Sequence, residues 1–319
     1  MKNIRKYNLP IFIPHLGCPN DCAFCNQKKI TGKDSDMTPQ KAEEMIKKYL
    51  ETTEENAKIE IAFFGGSFTG LDLSLQEEFL KVANKFLCKV DGIRLSTRPD
   101  YISEEILDLL KKYGVTEIEL GAQSSDDKVL KINRRGHTFA DTVKASELIK
   151  EKGFSLGLQM MIGMAGSDEE KDIKTAKDII ALNPDSTRIY PTLVLSGTAL
   201  EKMDYEPYPL EKAAEIASVI IELFREKGVK ILRIGLHESE DLKNGSVIKG
   251  PYHPAFGEIA EGYIWRRKIE DMIAKGDFNG EIPCGKSEVS KIIGHKKVNK
   301  KYFYDKYKIE IKPVPREAE

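Results

Sequence analysis

Three cysteines within eight residues are the most reactive group of side chains in this sequence. Cys18, Cys22 and Cys25 have the spacing C-x3-C-x2-C. Three thiolates this close can wrap a soft metal centre, and a 4Fe-4S cluster held by only three of them leaves one iron open to an outside ligand. Two alternatives stay open: a closed zinc site with a fourth ligand from His15 or His253, and three buried thiols without a metal.

The composition excludes several classes of protein. The chain has 319 residues, 40% of them hydrophobic, and a net charge of -1, so no overall field draws it to nucleic acid or membrane. Its apolar runs are too short for a signal peptide or a spanning helix. Five cysteines are too few for a disulfide framework, and Cys88 and Cys284 are expected to be packing residues. We expect a globular cytoplasmic protein with no membrane partner.

The hydrophobic pattern alternates between strand-like and helix-like segments. Strand-like runs lie at 9–14, 58–64, 92–97, 115–121, 154–161 and 185–194, and helical periodicity fills most of the gaps. Thr38 is a candidate N-cap and Gly114 a candidate C-cap. The alternation predicts an α/β fold with a parallel sheet, as a full or partial (β/α)6 barrel or, alternatively, a doubly wound open sheet.

A change of pattern after about residue 231 predicts a second, smaller part of the chain. One more strand and one long helix are followed by short Lys- and Tyr-rich strands over 281–312. We therefore divide the chain into a partial barrel, 1–240, and a C-terminal α+β extension, 241–319.

Polar residues and glycines follow nearly every predicted strand. Because the carboxyl ends of parallel strands meet at one edge, these loops are expected to converge on one site. The loops contain the cysteines, Gly65-Gly66-Ser67, Ser96-Thr97-Arg98, Glu119 to Ser124, Gln159, and Arg188 to Tyr190. Ordinary strand-end turns remain the alternative for any single loop.

The cysteine motif, with the aromatic Phe24 before its last cysteine, resembles the signature of the radical S-adenosylmethionine (SAM) superfamily. More narrowly, residues 10–200 are similar to the radical SAM region of the Elongator catalytic subunit, which modifies tRNA wobble uridines. The motifs that carry this resemblance are HLGCPNDCAFCNQ, FFGGSFTG, STRPDYI, ELGAQSSDDKVLKINRRGHT, MMIGMAG and RIYPTLVLSGTAL. Oxygen-independent coproporphyrinogen oxidase is a more distant resemblance.

The resemblance implies a cofactor pair and a reaction. The open iron of a 4Fe-4S cluster on Cys18, Cys22 and Cys25 would bind SAM, and one electron would cleave SAM to a 5'-deoxyadenosyl radical that abstracts hydrogen from the substrate. A reductant such as flavodoxin or ferredoxin would supply the electron. A tRNA uridine is the first substrate candidate, and a small molecule such as a tetrapyrrole is the second. A non-catalytic metal-binding module is the remaining alternative.

The resemblance also assigns roles to residues at the strand ends. Gly65, Gly66 and Ser67 match the element that binds the SAM ammonium, although a tight turn would also favour glycine. Glu119 would accept the ribose hydroxyls, with a solvated strand-edge residue as the alternative, and Arg135 would hold the SAM carboxylate.

Further predictions concern the cavity inside the barrel. Gln123 and Gln159 are hydrogen-bond candidates for ribose or substrate. The barrel lumen is expected to be dry and largely apolar. Tyr190 and Arg98 are candidates for substrate contact, and a buried packing role is the alternative for Tyr190.

The sequence departs from Elongator in two respects. Elongator carries an acetyltransferase domain after the radical SAM core and a basic segment before it, and the printed sequence has neither, so acetyl-CoA is not an expected partner. The local basic segment 294–312 interleaves lysines with tyrosines and suits single-stranded RNA or a tRNA loop. A solvated terminal hairpin with an apolar inner face explains the same residues.

Overall fold

A computed structural model describes residues 6–13, 18, 21–26, 37–54, 57–236, 245–276 and 278–316. The first half alternates strands and helices: β1 (Lys6–Ile13), α1 (Pro39–Thr52), β2 (Lys58–Gly65), α2 (Leu73–Asn84), β3 (Gly92–Thr97), α3 (Glu104–Lys112), β4 (Val115–Gln123), α4 (Asp127–Ile132) and α5 (Phe139–Glu151). The second half continues with β5 (Ser155–Ile162), α6 (Glu169–Ala181), β6 (Ser186–Pro191), β7 (Val194–Leu195), α7 (Leu210–Glu226), β8 (Lys230–Ile234), β9 (Val247–Lys249), α8 (Phe256–Ala274), β10 (Glu281–Cys284), α9 (Val289–Ile293), α10 (Val298–Tyr307) and β11 (Lys312–Pro315).

Seven strands form one parallel sheet in the order β1-β2-β3-β4-β5-β6-β8. The order follows the chain because each strand returns through a helix to pair beside the previous one, as right-handed β/α units do. The sheet is open between β1 and β8 and forms a half-barrel. The predicted parallel α/β fold of the partial-barrel type is therefore confirmed, and β8 adds a seventh strand to the six units.

Local sequence signals set the ends of the helices. The Thr38 side chain accepts a hydrogen bond from the Lys41 N–H at 3.2 Å, and Pro39 occupies the first turn of α1. Gly114 follows α3 with φ at 81°, a conformation that costs glycine no steric strain. Thr38 is confirmed as the N-cap of α1, whereas the C-cap of α3 is Tyr113 and Gly114 is the left-handed residue directly after it.

The two faces of the sheet differ in chemistry. Alternate residues such as Ile61, Phe63, Leu95 and Leu158 are buried in the main core between the sheet and its helices. The residues between them face the inside of the half-barrel, which we call the lumen. Since side chains alternate along a strand, the pattern that buries the helix-facing side also aims every second side chain into the lumen.

The last part of the chain has a small core of its own. Its buried members are Ile269, Ile282, Cys284, Ile292, Phe303 and Ile311. It attaches through α8, whose Arg267 donates to the Ser218 hydroxyl on α7 at 2.7 Å. The division at residue 240 stays a prediction, because residues 237–244 lie outside the described part of the chain.

Two predictions for this end of the chain and for its cysteines are corrected. Of the short strands predicted over 281–312, β10 and the start of β11 are present, but residues 298–307 form helix α10. The reason is that helical spacing places Asn299 and Phe303 together against α8. The terminal hairpin is wrong, because β10 pairs with β11 in parallel. Cys284 is buried as predicted, whereas Cys88 lies beyond α2 and is exposed. No helix in the described ranges is long and apolar enough to cross a membrane.

Candidate active site

The cysteine segment is anchored to loops that follow other strands. The Ala23 N–H donates to the Asn133 carbonyl at 3.0 Å, and the Leu200 N–H donates to the Ala23 carbonyl at 2.7 Å. The Phe24 ring packs on an apolar cluster formed by Ala165, Val194 and Leu200. The segment is therefore tied to the carboxyl-end edge of the sheet, where the sequence placed the site.

Two of the cysteine sulfurs receive hydrogen bonds from residues far away in the chain. The Ser67 N–H donates to Cys18 Sγ at 3.3 Å, and Arg135 Nη1 donates to Cys22 Sγ at 3.2 Å. Burial raises the pKa of the Cys18 thiol by more than the Ser67 N–H lowers it. Without a metal this thiol therefore stays protonated at neutral pH, and metal binding would remove the proton.

The donor set fits an iron–sulfur cluster better than a closed zinc site. N–H groups directed at cysteine sulfurs are typical surroundings of such clusters. Within the described ranges, which include all three cysteines, no three Cys, His, Asp or Glu side chains are gathered for a single ion, and this holds for a cluster as much as for zinc. The His253 ring packs against His295, with 4.6 Å between ring centroids, and its Nδ1 accepts the Ala255 N–H. His15 lies outside the described residues.

The predicted SAM loop lies next to Cys18. Gly65 ends β2 with φ at +107°, and a Cβ there would stand 3.0 Å from the Ile13 carbonyl oxygen, so glycine is required at this position. Gly66 and Ser67 follow and are buried. The Ser67 hydroxyl contacts the Thr97 hydroxyl at 2.8 Å. These contacts join the ends of β2 and β3 directly below the cysteine segment.

Glu119 lies at the centre of a buried ion network in the lumen and is 1% exposed. Arg188 binds it in a bidentate pair, with Nε at 2.5 Å and Nη2 at 3.1 Å, and Arg94 Nη2 donates to it at 2.8 Å. Burial raises the pKa of Glu119, but the two guanidinium groups, Arg188 more than Arg94, lower it by a larger amount. The pKa is therefore below its usual value, and the carboxyl stays ionised. A Cβ at position 157 would stand 2.7 Å from Glu119 Cγ, so Gly157 leaves room for this side chain.

The two predicted glutamines lie on either side of this network. Gln159 Nε2 donates to Glu119 Oε2 at 3.1 Å. Gln123 ends β4 with φ at 66°, an unusual value for a residue other than glycine, and its buried Oε1 has no partner among the described residues. Arg135 Nη2 donates to the Gly121 carbonyl at 2.6 Å, and the Arg135 Nε likewise has no partner there. These two buried polar atoms therefore lack a hydrogen-bond partner within the described structure.

The two predicted substrate contacts differ in their surroundings. Tyr190 follows Arg188 on the lumen side of β6, and burial raises the pKa of its hydroxyl. Arg98 forms a bidentate pair with Asp100, at 2.9 and 2.8 Å, and is 4% exposed. Tyr190 therefore faces the lumen, whereas the guanidinium of Arg98 is engaged by a neighbouring carboxylate.

The lumen is charged, so the expectation of a largely apolar lumen is wrong. Arg94 also pairs with Glu60 at 3.1 Å and with Glu117. Sequence reasoning assigned no role to Arg94 or Glu117, and it named Arg188 only among the polar residues at the strand ends. The sequence did contain a signal for this network, because Arg94 lies between the apolar residues Ile93 and Leu95. Since those two side chains are buried against the helices, the charge between them points into the lumen and needs a partner there.

Comparisons with known proteins give the family. The model of the radical SAM superfamily matches residues 12–179, and the radical SAM C-terminal domain matches residues 184–266. The tRNA uridine(34) acetyltransferase of Methanocaldococcus jannaschii is 33% identical over 239 residues, which are 67% of this chain and 43% of that protein. Elongator complex protein 3 of Saccharomyces cerevisiae is 30% identical over 193 residues, 52% of this chain and 34% of that one. The chain thus spans less than half of either relative.

The fold has a solved counterpart. The structure of archaeal Elp3 from Methanocaldococcus infernus, with an N-terminal deletion, matches with a TM-score of 0.66 and 24% identity, over 83% of this chain and 64% of that one. The resemblance read from the motifs is confirmed by these matches, and the radical SAM model alone covers more than half of the sequence. The chain belongs to the radical SAM superfamily.

Proposed function

We propose that the chain cleaves SAM reductively at a 4Fe-4S cluster and uses the resulting radical on a tRNA uridine. The observation that carries this proposal is the meeting of Cys18 and Cys22 with Ser67 and Arg135, donors from the loops after β2 and α4. The cysteines and the loops that resemble SAM-binding elements are thereby brought to one edge of one sheet.

In this proposal the three cysteines hold the cluster, and the strand-end residues bind and orient SAM. When bound, the cluster supplies the electron that cleaves the sulfonium of SAM to a 5'-deoxyadenosyl radical. Backbone groups of Gly65, Gly66 and Ser67 bind the ammonium group, and Glu119 and Gln159 stay the predicted contacts of the ribose. The free Nε of Arg135 is the donor offered to the carboxylate, and Gln123 Oε1 is an acceptor beside it.

The charged lumen suits a polar substrate better than an apolar one. Tyr190 faces it with a hydroxyl whose raised pKa keeps the proton in place, so it can donate a hydrogen bond to substrate. Arg98 is the second candidate for substrate contact, because its backbone N–H donates to the Ser67 hydroxyl at the same edge of the sheet. The tRNA uridine is inferred from relatives named as tRNA uridine(34) acetyltransferases, of which this chain spans less than half. Acetyl transfer forms no part of the proposal, and flavodoxin or ferredoxin stays the predicted reductant.

The test is anaerobic reconstitution with iron and sulfide, followed by dithionite and SAM. We expect the wild type to bind iron and to form 5'-deoxyadenosine, and we expect Cys22→Ala to do neither. Cys88→Ala is the matched control, because Cys88 is exposed and lies outside the cysteine segment. Formation of 5'-deoxyadenosine that does not respond to tRNA would favour a small-molecule substrate. Zinc in the purified protein and no nucleoside product would refute the reaction.

A further inference from the structure

A row of side chains, all exposed except the half-buried Lys300, runs along the outer face of α10 and the residues that flank it, and we call it the lysine stripe. It consists of Lys297, Lys300, Lys301, Tyr304 and Lys308. Within the helix, Lys300 and Lys301 lie four and three residues before Tyr304, so these side chains share one helix face, and Lys297 and Lys308 flank the helix in left-handed conformations. Asn299 and Phe303, on the opposite face, are fully buried. The stripe therefore points away from the protein.

The charges of the stripe are not neutralised within the described part of the chain. Lys297, Lys300 and Lys301 have no ion pair there, whereas Lys306, on the inner side of the same helix, pairs with Glu270 at 2.8 Å. Residues 296–308 contain six lysines and one acid, Asp305. On a chain with a net charge of -1, this face is a local cationic surface that attracts a polyanion.

An exposed aromatic ring lies in the middle of these charges. Tyr304 is 59% exposed, and the Lys308 ammonium stands 5.7 Å from the centre of its ring. The other two tyrosines of the helix, Tyr302 and Tyr307, donate their hydroxyls to Glu270 and pack inward. An exposed aromatic ring beside lysines that have no carboxylate partner in the described structure is a combination that binds unpaired bases and their phosphates.

The backbone at the start of the stripe is strained. Lys296 and Lys297 have φ values of 50° and 64°, the left-handed region that side chains other than glycine rarely adopt. The Lys297 N–H donates to the Gly294 carbonyl at 2.9 Å, and the Asn299 amide donates to the Gly262 and Ile292 carbonyls. Strain held by its surroundings in this way is typical of ligand-binding segments.

Contacts place this strained end of the stripe near the carboxyl-end edge of the sheet. Strand β9 pairs with β7, which follows the end of β6, and β9 leads into the loop that contains His253. His253 packs on His295, which directly precedes the strained lysines. At the end of β8, Gly235 lies against Phe256, at the start of α8. A ligand lying along the stripe could thus extend toward the proposed active site.

We propose that the lysine stripe is a docking surface for a single-stranded RNA loop, which it presents to the mouth of the half-barrel. This inference rests on the proposed function for the identity of the polyanion. The lysines contact phosphates and Tyr304 stacks on an unpaired base. The buried side of α10 provides the rigid support, because it is fixed by Asn299 and Phe303.

The test measures binding of a fluorescein-labelled anticodon stem–loop RNA to the full chain by anisotropy, over a series of salt concentrations. The stripe variant changes Lys297, Lys300, Lys301 and Lys308 to glutamine together. The control variant changes Lys48, Lys89, Lys177 and Lys227 to glutamine, an equal loss of charge at exposed lysines for which the described structure records no ion pair. A fully paired RNA of the same length is the second probe. Melting temperatures check that each variant folds.

We expect the stripe variant to bind the loop at least about tenfold more weakly than the wild type. The slope of log affinity against log salt concentration should fall in magnitude by about 3, because each of the four lost phosphate contacts removes about 0.7–0.9 from it. The control variant should retain both. Tyr304→Ala should weaken binding of the loop about tenfold, and Tyr304→Phe should not, because stacking needs only the ring. The paired RNA should bind more weakly than the loop and should not respond to Tyr304→Ala.

Equal losses in the stripe and control variants, or no loss in the stripe variant, would overturn the docking surface. Formation of 5'-deoxyadenosine from SAM without RNA should be unchanged in the stripe variant, because the stripe does not touch the cysteine segment. A wild type that binds RNA through the stripe but makes no 5'-deoxyadenosine would refute the proposed reaction and leave the docking surface standing. The reverse result would refute the docking surface alone.

Discussion

Replacing Glu119 with glutamine should destabilise the fold, because this carboxylate neutralises a buried guanidinium. Within the described chain, Arg188 has Glu119 as its only carboxylate partner, whereas Arg94 keeps Glu60 and Glu117. The substitution therefore leaves Arg188 buried and uncompensated. Removing one partner of a buried ion pair costs about 3–5 kcal/mol.

The expected change in melting temperature follows from the size of the chain. An unfolding entropy of about 2.1 cal/mol/K per residue gives roughly 0.7 kcal/mol/K for the whole chain, or about 1.5 °C per kcal/mol. Glu119→Gln should thus lower the melting temperature by about 5–7 °C. Glu60→Gln, at a partly exposed carboxylate on the same network, is the control and should cost less than about 1 kcal/mol.

A double-mutant cycle identifies the cause of the loss. Arg188→Met leaves Glu119 with Arg94 and should cost less than Glu119→Gln. If charge compensation is the reason, the double variant should be more stable than the sum of the two single effects predicts, by about 1–3 kcal/mol. The measurement is thermal unfolding of all four proteins by circular dichroism. An additive cycle, or a change below about 1 °C for Glu119→Gln, would refute the reasoning.

Three further predictions concern single contacts. Burial raises the pKa of Asp172 to about 7, so the folded state holds this proton more tightly than the unfolded state does. The free energy of unfolding should therefore fall as the pH rises from about 4 to 7. Asp172→Asn should flatten that slope in urea unfolding. Gly163→Ala should cost more than Gly153→Ala in melting temperature, because both have positive φ but only the first would place a Cβ 2.6 Å from the Tyr208 ring. Arg135→Gln should lower the midpoint potential of the reconstituted cluster by roughly 65 mV in an EPR-monitored titration, which is the equivalent of a charged hydrogen bond of about 1.5 kcal/mol. An unchanged potential would contradict the role of Arg135 as a donor to the Cys22 sulfur.

The repeating part of the fold could be predicted from local signals. Apolar runs marked the strands because the helix-facing side of each strand is buried, and residues such as Thr38 and Gly114 marked helix ends through their own hydrogen bonds and φ values. Those signals need no knowledge of distant residues. The motif around Cys18, Cys22 and Cys25 was equally local, and it predicted the family.

The ion network and the C-terminal helix required the tertiary structure. Glu119 meets Arg94 and Arg188 only because the registers of β3, β4, β5 and β6 bring residues 25 and 69 positions apart into contact. No pattern within one segment contains that information. The hairpin prediction failed because alternating lysines and aromatics suit a strand or a helix, and the burial of Phe303 beside α8 decided the matter.

The sequence by itself thus determined the β/α alternation, the cysteine motif and the edge of the sheet at which the polar loops meet. Only the tertiary structure decided which of those polar residues hold one another and which remain free for a ligand. The physical reason is that apolar burial and capping act over a few residues, whereas a buried charge is stabilised by whichever partner the strand register places beside it.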